Sequence, residues 1–519
     1  MSATSKDAAA ATRKRPPLVI KTLRWKLGGP ANGETTTKTA LAAEEPLSPA
    51  AQLFHQPDFC CCIVAIMGCS TPLDVGVLKV GLEAMLVRHP RFSSIPVFDE
   101  AGRKKPRWVA TNVVVDDHIV IPNLDPDVGG GTTSPDQVVE DYVTSLTSIP
   151  MDLSRPLWEL HVLNIPTSDA AAVAVLRLHH SLGDGTSLVS LLLACTRKAS
   201  DRSSLPTLPY QSRRPPPAAK NRTGGALLTV LLWLWAFLIL AWNTLVGILV
   251  FTATALFLKD TQTPITASEG VGLRPKRIMH RTVSLDDVKD IKNAMHCTVN
   301  DVLVGVTSAG LSRYLSRSYG QGVDKDGKKN QVPSNIRLRS TLLVNIRPIP
   351  GIHDLAELME GRDGGTKWGN LIGYLILPFT IAMYKDPLDY IRKGKAIANK
   401  KKNSLEAIFT YKSADFIVNF LGMKAAAALC HRVLSNTTLS FSNLVGPVEE
   451  IAFFDHPIVY LVPSVYGHPQ APTIHFQSYM NTMKIVVTAD EKDIPNPHQL
   501  LDDLADSLQL IKAAIPPTI

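Results

Sequence analysis

The sequence predicts a layered α/β or α+β protein with two lobes, and three observations carry that prediction. Strand and helix periodicities alternate in both halves of the 519-residue chain. A run from Ala226 to Leu258 contains no charged residue and separates those halves. The composition, 45% hydrophobic and 19% charged, is too apolar for a disordered chain and is sufficient for two cores.

Residues 1–40 read as a basic, solvated tail, in which Lys6, Arg13, Lys14, Arg15, Lys21, Arg24, Lys26 and Lys38 outweigh Asp7 and Glu34. No apolar core of secretory length follows the basic cluster, and Pro16, Pro17 and the Gly28–Pro30 turn interrupt the amphipathic helix a transit peptide would need. The first lobe is assigned to 41–200. Within it, Asp74–Arg88 has helical spacing, Leu157–Leu163 and Ala171–Leu178 read as strands, and Ser187–Lys198 reads as a helix. Residues 201–276 are read as linkers enclosing the apolar segment 226–258.

A straight helix across that segment would extend about 50 Å at about 1.5 Å per residue, well beyond a hydrocarbon core of about 30 Å. It must tilt, protrude or break, and Asn243 and Thr244 near its middle suit a re-entrant hairpin as an alternative to one long helix. Basic residues flank both ends, so the positive-inside rule does not orient it. A buried core helix is the soluble alternative, although such helices seldom run so long without charge.

The second lobe is assigned to 277–519. Thr298–Tyr314 is predicted to be a helix opened by a Thr298/Asp301 capping box. Strands are predicted at Ser340–Ile346, Thr438–Phe441, Ile458–Pro463, Thr473–Tyr479 and Met483–Ala489, and a closing helix at Gln499–Ala513. Asp125–Asp136 and Gly320–Ser334 read as exposed loops.

Composition also limits chemistry. Seven cysteines are too few and too irregular for a disulfide scaffold, and Cys60, Cys61, Cys62 and Cys69 lack the paired spacing of a zinc site. A reducing compartment and no metal are expected. The formal charge of +8 and a pI near 9.0 come without an arginine-rich helix or interleaved aromatics, so anionic headgroups or phosphorylated substrates suit the chain better than nucleic acid. There is no GxSxG elbow, Walker A loop, HExxH or GxGxxG signature.

The most informative stretch is VLRLHHSLGDGTS, Val175–Ser187, where an apolar strand ends in two histidines, a glycine-bearing turn and a helix. Rigid elements on either side would fix His180 beside a bound hydroxyl. An imidazole of ordinary pKa near 6.5 can take a hydroxyl proton at neutral pH and return one to a leaving thiolate, which is the chemistry of acyl transfer. The structural alternative makes His179 and His180 polar residues at a strand end and Asp184 a helix cap.

As HHxxxDG, the segment resembles the active-site motif of the coenzyme-A-dependent acyltransferase superfamily that includes chloramphenicol acetyltransferase and peptide-synthetase condensation domains. The match is closest to the plant bifunctional wax ester synthase/diacylglycerol acyltransferase family. It rests on EPLSPAAQLFHQP (Glu45–Pro57), RHPRFSS (Arg88–Ser94), SRPLWELHVL (Ser154–Leu163), TVNDVLVGV (Thr298–Val306), VNIRP (Val344–Pro348) and SFSNLVGP (Ser440–Pro447). The DFGWG motif of phenolic acyltransferases is missing, and the Cys60–Cys62 run and the basic leader depart from the pattern.

The resemblance implies two chloramphenicol-acetyltransferase-like lobes with a membrane insert between them. It implies acyl transfer from acyl-CoA to a fatty alcohol or diacylglycerol, with acyl-CoA a co-substrate and no bound cofactor; the alternatives are a catalytically silent lipid-binding protein on the same scaffold and transfer to a different alcohol or amine. His180 would be the general base, His179 a supporting residue and Asp184 a structural member holding the loop through a salt bridge, with Arg347 one partner to consider. Asn300 would steady the thioester oxygen or the hydroxyl, the alternative being a plain first-turn residue. Ser442 and Asn443 would border the acyl-CoA channel, the alternative being a turn before Pro447. Pro156, Leu157 and Trp158 are expected in the core or tunnel wall. Membrane lipid is the expected partner, with neither nucleic acid nor an obligate protein partner. Endoplasmic reticulum membrane is the expected location, with plasma membrane as the alternative. If the catalytic tunnel is built from both halves, as the resemblance implies, a single span would strand them on opposite membrane faces, so 226–258 is expected to dip into or lie on one leaflet.

Overall fold

The cysteine-rich stretch CIVAIMGC forms a strand, Cys62–Cys69, in which seven of eight residues are buried. It lies at the centre of a seven-stranded sheet. The computed structural model describes residues 44–57, 59–99, 104–124, 134–207, 226–321, 332–333, 335–346 and 368–516. The basic tail, Arg347 and most of the two loops expected at Asp125–Asp136 and Gly320–Ser334 lie outside the described residues.

The strands are numbered in chain order. The seven-stranded sheet contains β2 (Cys62–Cys69), β5 (Ile119–Val120), β6 (Trp158–Leu163), β7 (Ala172–His179), β8 (Thr196–Lys198), β13 (Ile451–Phe453) and β14 (His456–Tyr466). Their order is β5-β6-β7-β2-β14-β13-β8, so two strands from the second half complete the sheet of the first. β2 is antiparallel to both β7 and β14 along its length. Gly68 is required at this point because the Tyr460 ring lies where a side chain would stand.

The second sheet has the order β11-β10-β12-β15-β16-β9. It is built from β9 (Arg277–Ser284), β10 (Leu338–Asn345), β11 (Ile372–Phe379), β12 (Leu439–Val445), β15 (Pro472–Tyr479) and β16 (Thr482–Ala489). A small third sheet joins β1 (Glu45–Pro46), β3 (Ser94–Val97) and β4 (Arg107–Ala110).

Helices α1 (Pro49–Leu53), α2 (Val75–Ala84), α3 (Pro135–Leu146) and α4 (Gly185–Ala194) belong to the first half. Helices α6 (Leu285–Ala294), α7 (Val299–Gln321), α8 (Leu388–Lys402) and α10 (Pro497–Ala513) belong to the second. The expected capping box is present at the start of α7. Asp301 Oδ2 accepts from Thr298 N at 2.9 Å, and Thr298 Oγ1 accepts from Asp301 N at 3.3 Å.

The helix expected at Ser187–Lys198 is corrected at both ends. It starts at Gly185 and stops at Ala194, after which Thr196–Lys198 pairs with β13. Pairing of Lys198 with Ile451 and of Thr196 with Phe453, far away in the chain, overrides the local helical pattern. The connection Asp260–Lys276 is also more than a spacer. Asp260 accepts from Arg339 Nε at 2.5 Å and from the Thr438 N–H at 2.9 Å, and both ionic side chains are almost fully buried.

The apolar segment forms one continuous helix, α5 (Ala226–Leu256), with no break at Asn243 or Thr244. The Thr244 hydroxyl is satisfied within the helix, donating to Leu240 O at 2.6 Å. The C-terminal part of α5 packs on the protein, with Gly247 against Glu406 and Thr254 and Ala255 buried, whereas Trp233, Trp235, Phe237 and Trp242 are exposed. A second long apolar helix, α9 (Glu406–Ser435), runs beside it and is kinked at Gly422, whose φ of 83° suits glycine. Strands β9, β10 and β11 fall between α5 and α9 in the chain, yet they pair into the sheet completed by β12, β15 and β16, which follow α9.

Arg339 clamps this region by donating to Asp260, Thr254 Oγ1, Leu258 O and Asn436 O. Arg339→Met should lower unfolding stability by about 3–5 kcal/mol, because the buried Asp260 loses its only cation among the described residues. Denaturant titration in detergent measures this, and a loss below about 0.5 kcal/mol would show that the pair is not structurally important.

Candidate active site

The site begins with β7, whose eight residues are all buried and which delivers His179 at its last position. A single 3-10 turn, His180–Leu182, redirects the chain into α4. Gly183 leaves room for this turn, since a Cβ there would lie 3.2 Å from Ser187 Cβ and 3.3 Å from the Trp368 ring.

The two histidines occupy separate surroundings. His180 donates its N–H to Cys61 O at 2.9 Å, accepts from Asn370 Nδ2 at 3.2 Å, and lays its ring 4.3 Å from that of Phe54. Its Nδ1 is buried without a partner from another residue. Burial pushes the imidazole down to about 4, against the upward pull of its own carbonyl and the Asp184 carboxylate. His180 is therefore neutral at pH 7. His179 instead stacks on His55 at 4.3 Å, meets Ser181 Oγ through Nδ1 at 2.7 Å, and holds Nε2 3.7 Å from Cys60 Sγ. Thus Phe54 and His55 of the first motif pack on His180 and His179 respectively.

Asp184 is a helix cap and more. Its Oδ1 accepts from Ser187 N at 2.9 Å, and its Oδ2 accepts from Leu371 N at 3.0 Å. The residues around Leu371 form a clasp that sequence reading missed. Trp368 Nε1 donates to Leu182 O at 2.7 Å, and Gly369 O accepts from Ser187 Oγ at 3.1 Å. With Asn370 on His180 O, four consecutive residues hold the turn from across the molecule. The available signal was a tryptophan beside Gly-Asn in a glycine-rich polar stretch. The Trp368 ring also rests 4.1 Å from His89 of the RHPRFSS motif, whose Arg91 is ion-paired to Glu45 of the first motif.

The other expected site residues come together as a pair. Asn300, on the exposed first turn of α7, accepts from Asn443 Nδ2 at 2.7 Å, while Asn443 Oδ1 is buried without a partner. Ser442 hydrogen-bonds His475 Nδ1 from the neighbouring strand β15. Leu157 and Trp158 are core residues, with Trp158 Nε1 donating to Phe92 O at 2.9 Å.

His468 and His475 were not anticipated. Both are buried, and His468 Nδ1 and His475 Nε2 lack partners. Burial pushes them down to about 3 and about 4, and the charges of Lys276, His475 and His180 add to the depression at His468. His468, in the turn between β14 and β15, is thus close enough to His180 to feel its charge. A histidine inside an apolar strand such as PTIHFQSY reads as core, so its sequence carried no separate signal.

A two-sheet fold presenting HHxxxDG on a braced strand-to-helix turn defines the class of acyltransferases to which this chain is similar. Residues 66–303 match the wax ester synthase/diacylglycerol acyltransferase catalytic domain, and residues 368–512 match the WS/DGAT C-terminal domain. Wax ester synthase/diacylglycerol acyltransferase 11 of Arabidopsis thaliana is 50% identical over 472 residues, covering 91% of this chain and 95% of the relative. Wax ester synthase/diacylglycerol acyltransferase 5 of the same plant is 49% identical over 489 residues, covering 93% and 96%.

Among solved structures, the wax ester synthase/diacylglycerol acyltransferase from Marinobacter aquaeolei VT8 shares the fold with a TM-score of 0.55 at 18% identity, covering 90% of this chain and 99% of that one. The first condensation domain of the calcium-dependent antibiotic synthetase gives 0.54 at 12% identity, covering 92% and 98%. The chain belongs to the wax ester synthase/diacylglycerol acyltransferase family and is an acyltransferase.

Two outcomes follow from these contacts. Asp184→Ala removes a helix cap worth about 1 kcal/mol and strands the Leu371 N–H at a further cost of about 1–3 kcal/mol, so Tm should fall together with activity. An unchanged Tm would refute the bracing role. Unfolded histidine titrates near 6.5, whereas folded His468 and His475 hold about 3 and about 4. Below pH 6.5 the unfolded chain binds more protons, so stability is complete above that pH and declines as pH falls toward 4. Tm measured from pH 7 to 5 should drop, and His475→Gln should flatten the slope; equal slopes in both proteins would contradict the assignment.

Proposed function

We propose that this chain transfers a long-chain acyl group from acyl-CoA to a fatty alcohol, giving a wax ester, or to diacylglycerol, giving triacylglycerol, with His180 as general base. The observation that carries the assignment is the buried, neutral His180, fixed at the end of β7 by Cys61 on one side and Asn370 on the other. With Nδ1 enclosed, Nε2 is the ring atom assigned to the proton. It takes the hydroxyl proton as the alcohol oxygen attacks the thioester carbonyl. The C–S bond then breaks, and the imidazolium returns the proton to the departing thiolate. The step balances without a bound cofactor. Asn300 is assigned to polar stabilisation and Ser442 and Asn443 to the acyl-CoA channel, with the Asn300–Asn443 hydrogen bond supporting their proximity.

We place the protein on one face of a membrane, at the endoplasmic reticulum as the family resemblance suggests. Support comes from the projecting half of α5 with its exposed tryptophans and from the exposed Phe416, Phe420 and Leu421 on α9. Strand pairing argues against crossing: if α5 and α9 each spanned, β9–β11 would be separated from the strands that complete their sheet. A helix that dips into one leaflet keeps both sheets whole and brings the apolar acceptor to the protein.

Membranes carrying the wild type should convert labelled palmitoyl-CoA to wax ester with hexadecanol, or to triacylglycerol with diacylglycerol. His180→Ala should lower the rate by about 10²–10⁴-fold. Equal activity in the folded variant removes His180 as base, and an inactive, folded wild type favours a silent lipid-binding protein on the same scaffold. Protease mapping of sealed vesicles should find 257–405 and 436–516 accessible from the same side; opposite sides would overturn the one-face arrangement.

A further inference from the structure

We propose that Cys60, Cys62 and His179 form a zinc site beside the catalytic turn. Cysteine spacing alone concealed it, because the third ligand comes from a strand 119 residues away from Cys60. Cys62 and His179 are directly opposite one another in the β2–β7 register. Cys60, just before the strand, and Cys62, its first residue, bring their sulfurs together, while Cys61 turns into an apolar cluster with Phe54, Phe59 and Leu434.

The two sulfurs and a histidine nitrogen all lie within 4.8 Å of one another. Tetrahedral zinc with bonds of about 2.3 Å to sulfur and about 2.1 Å to nitrogen sets the S···N edge at roughly 3.6 Å. The Cys60 Sγ to His179 Nε2 distance is 3.7 Å, so that edge is already formed.

The surroundings suit the ion. When Nε2 ligates, Nδ1 carries the proton and donates to Ser181 Oγ, 2.7 Å away, the outer hydrogen bond that orients a metal-bound imidazole. The backbone N–H of Ser181, 3.3 Å from the same Nδ1, would then lose its acceptor. Two thiolates neutralise a divalent ion, and this soft donor set favours zinc over magnesium or calcium. The Arg177 guanidinium acts on both thiols, but its charge is already met by Glu159 at 3.1 Å. Cys60 is exposed, which gives the ion an entry path and leaves the fourth position to water.

Zinc here would clip the Cys60–Cys62 segment to the end of β7. Cys61 in that segment also accepts the His180 N–H, so the clip would stiffen the backbone on both sides of His180. The proposal rests on the cluster and not on the reaction assigned above.

The test uses the full chain, purified metal-free under reducing conditions, titrated with zinc chloride against a chromophoric chelator and followed by thermal unfolding. The wild type should bind one zinc per chain and gain in Tm. Cys60→Ser and Cys62→Ser should lose both responses, Cys61→Ser should keep them, and Ser181→Ala should bind about 10- to 100-fold more weakly. Cobalt should give a thiolate charge-transfer band in the wild type and none in Cys60→Ser, whose exposed position protects against misfolding as an explanation. A wild type with all seven thiols reduced that takes up no zinc, or binding equally reduced by Cys61→Ser, overturns the proposal.

Discussion

The pairing of β2 with β7 on one side and β14 on the other is the constraint on which the rest of the structure depends. It joins residues near position 65 to residues near 175 and 460, so the first half of the chain cannot complete its sheet without strands from the second. One end of this triplet carries the reactive histidines. The same pairing places Cys61 against His180 and brings the sheet of the first half alongside that of the second, where His475 and His468 lie. It also restricts α5, because if that helix alone crossed a membrane, β13 and β14 would be separated from β2 and β8.

Around the turn, almost every polar bond serves placement. Asp184 uses both carboxylate oxygens on backbone N–H groups, Trp368 and Asn370 bind backbone carbonyls, and Ser187 reaches Gly369. His180 is the exception: its backbone is fully engaged while its ring retains an unpartnered nitrogen. Desolvation keeps that ring uncharged, and the histidines across the seam are uncharged for the same reason. The histidines around the turn are thus polar but uncharged, which suits a thioester and a neutral alcohol better than an ionic group.

Legibility in the sequence followed the range of the interaction. The HHxxxDG turn was readable because strand, turn and helix are contiguous, and the Thr298/Asp301 box because capping is local. Strand β2 was hidden when its cysteines drew attention as chemistry instead of as small apolar residues in an extended run. Helix α9 was diluted by Lys412, Asp415 and Lys424, whereas α5 carries no charged residue. The 368–371 clasp and strand β8 depend on partners far away in the chain, and no local pattern announces such partners. Asn300 and Asn443 were each proposed separately, but only the fold shows them sharing a hydrogen bond.

Direct transfer assisted by a neutral histidine is the central claim, and a rapid-quench experiment tests it most directly. Wild-type protein is mixed with labelled palmitoyl-CoA in the absence of an alcohol, and released coenzyme A and protein-bound acyl groups are both counted before hexadecanol is added. Direct transfer predicts no stoichiometric release and no acyl-protein until the alcohol arrives, after which ester and coenzyme A appear together. A burst of coenzyme A matched by an acylated side chain, with the Ser181 hydroxyl and the Cys60 thiol as the nucleophiles beside His179, would contradict it.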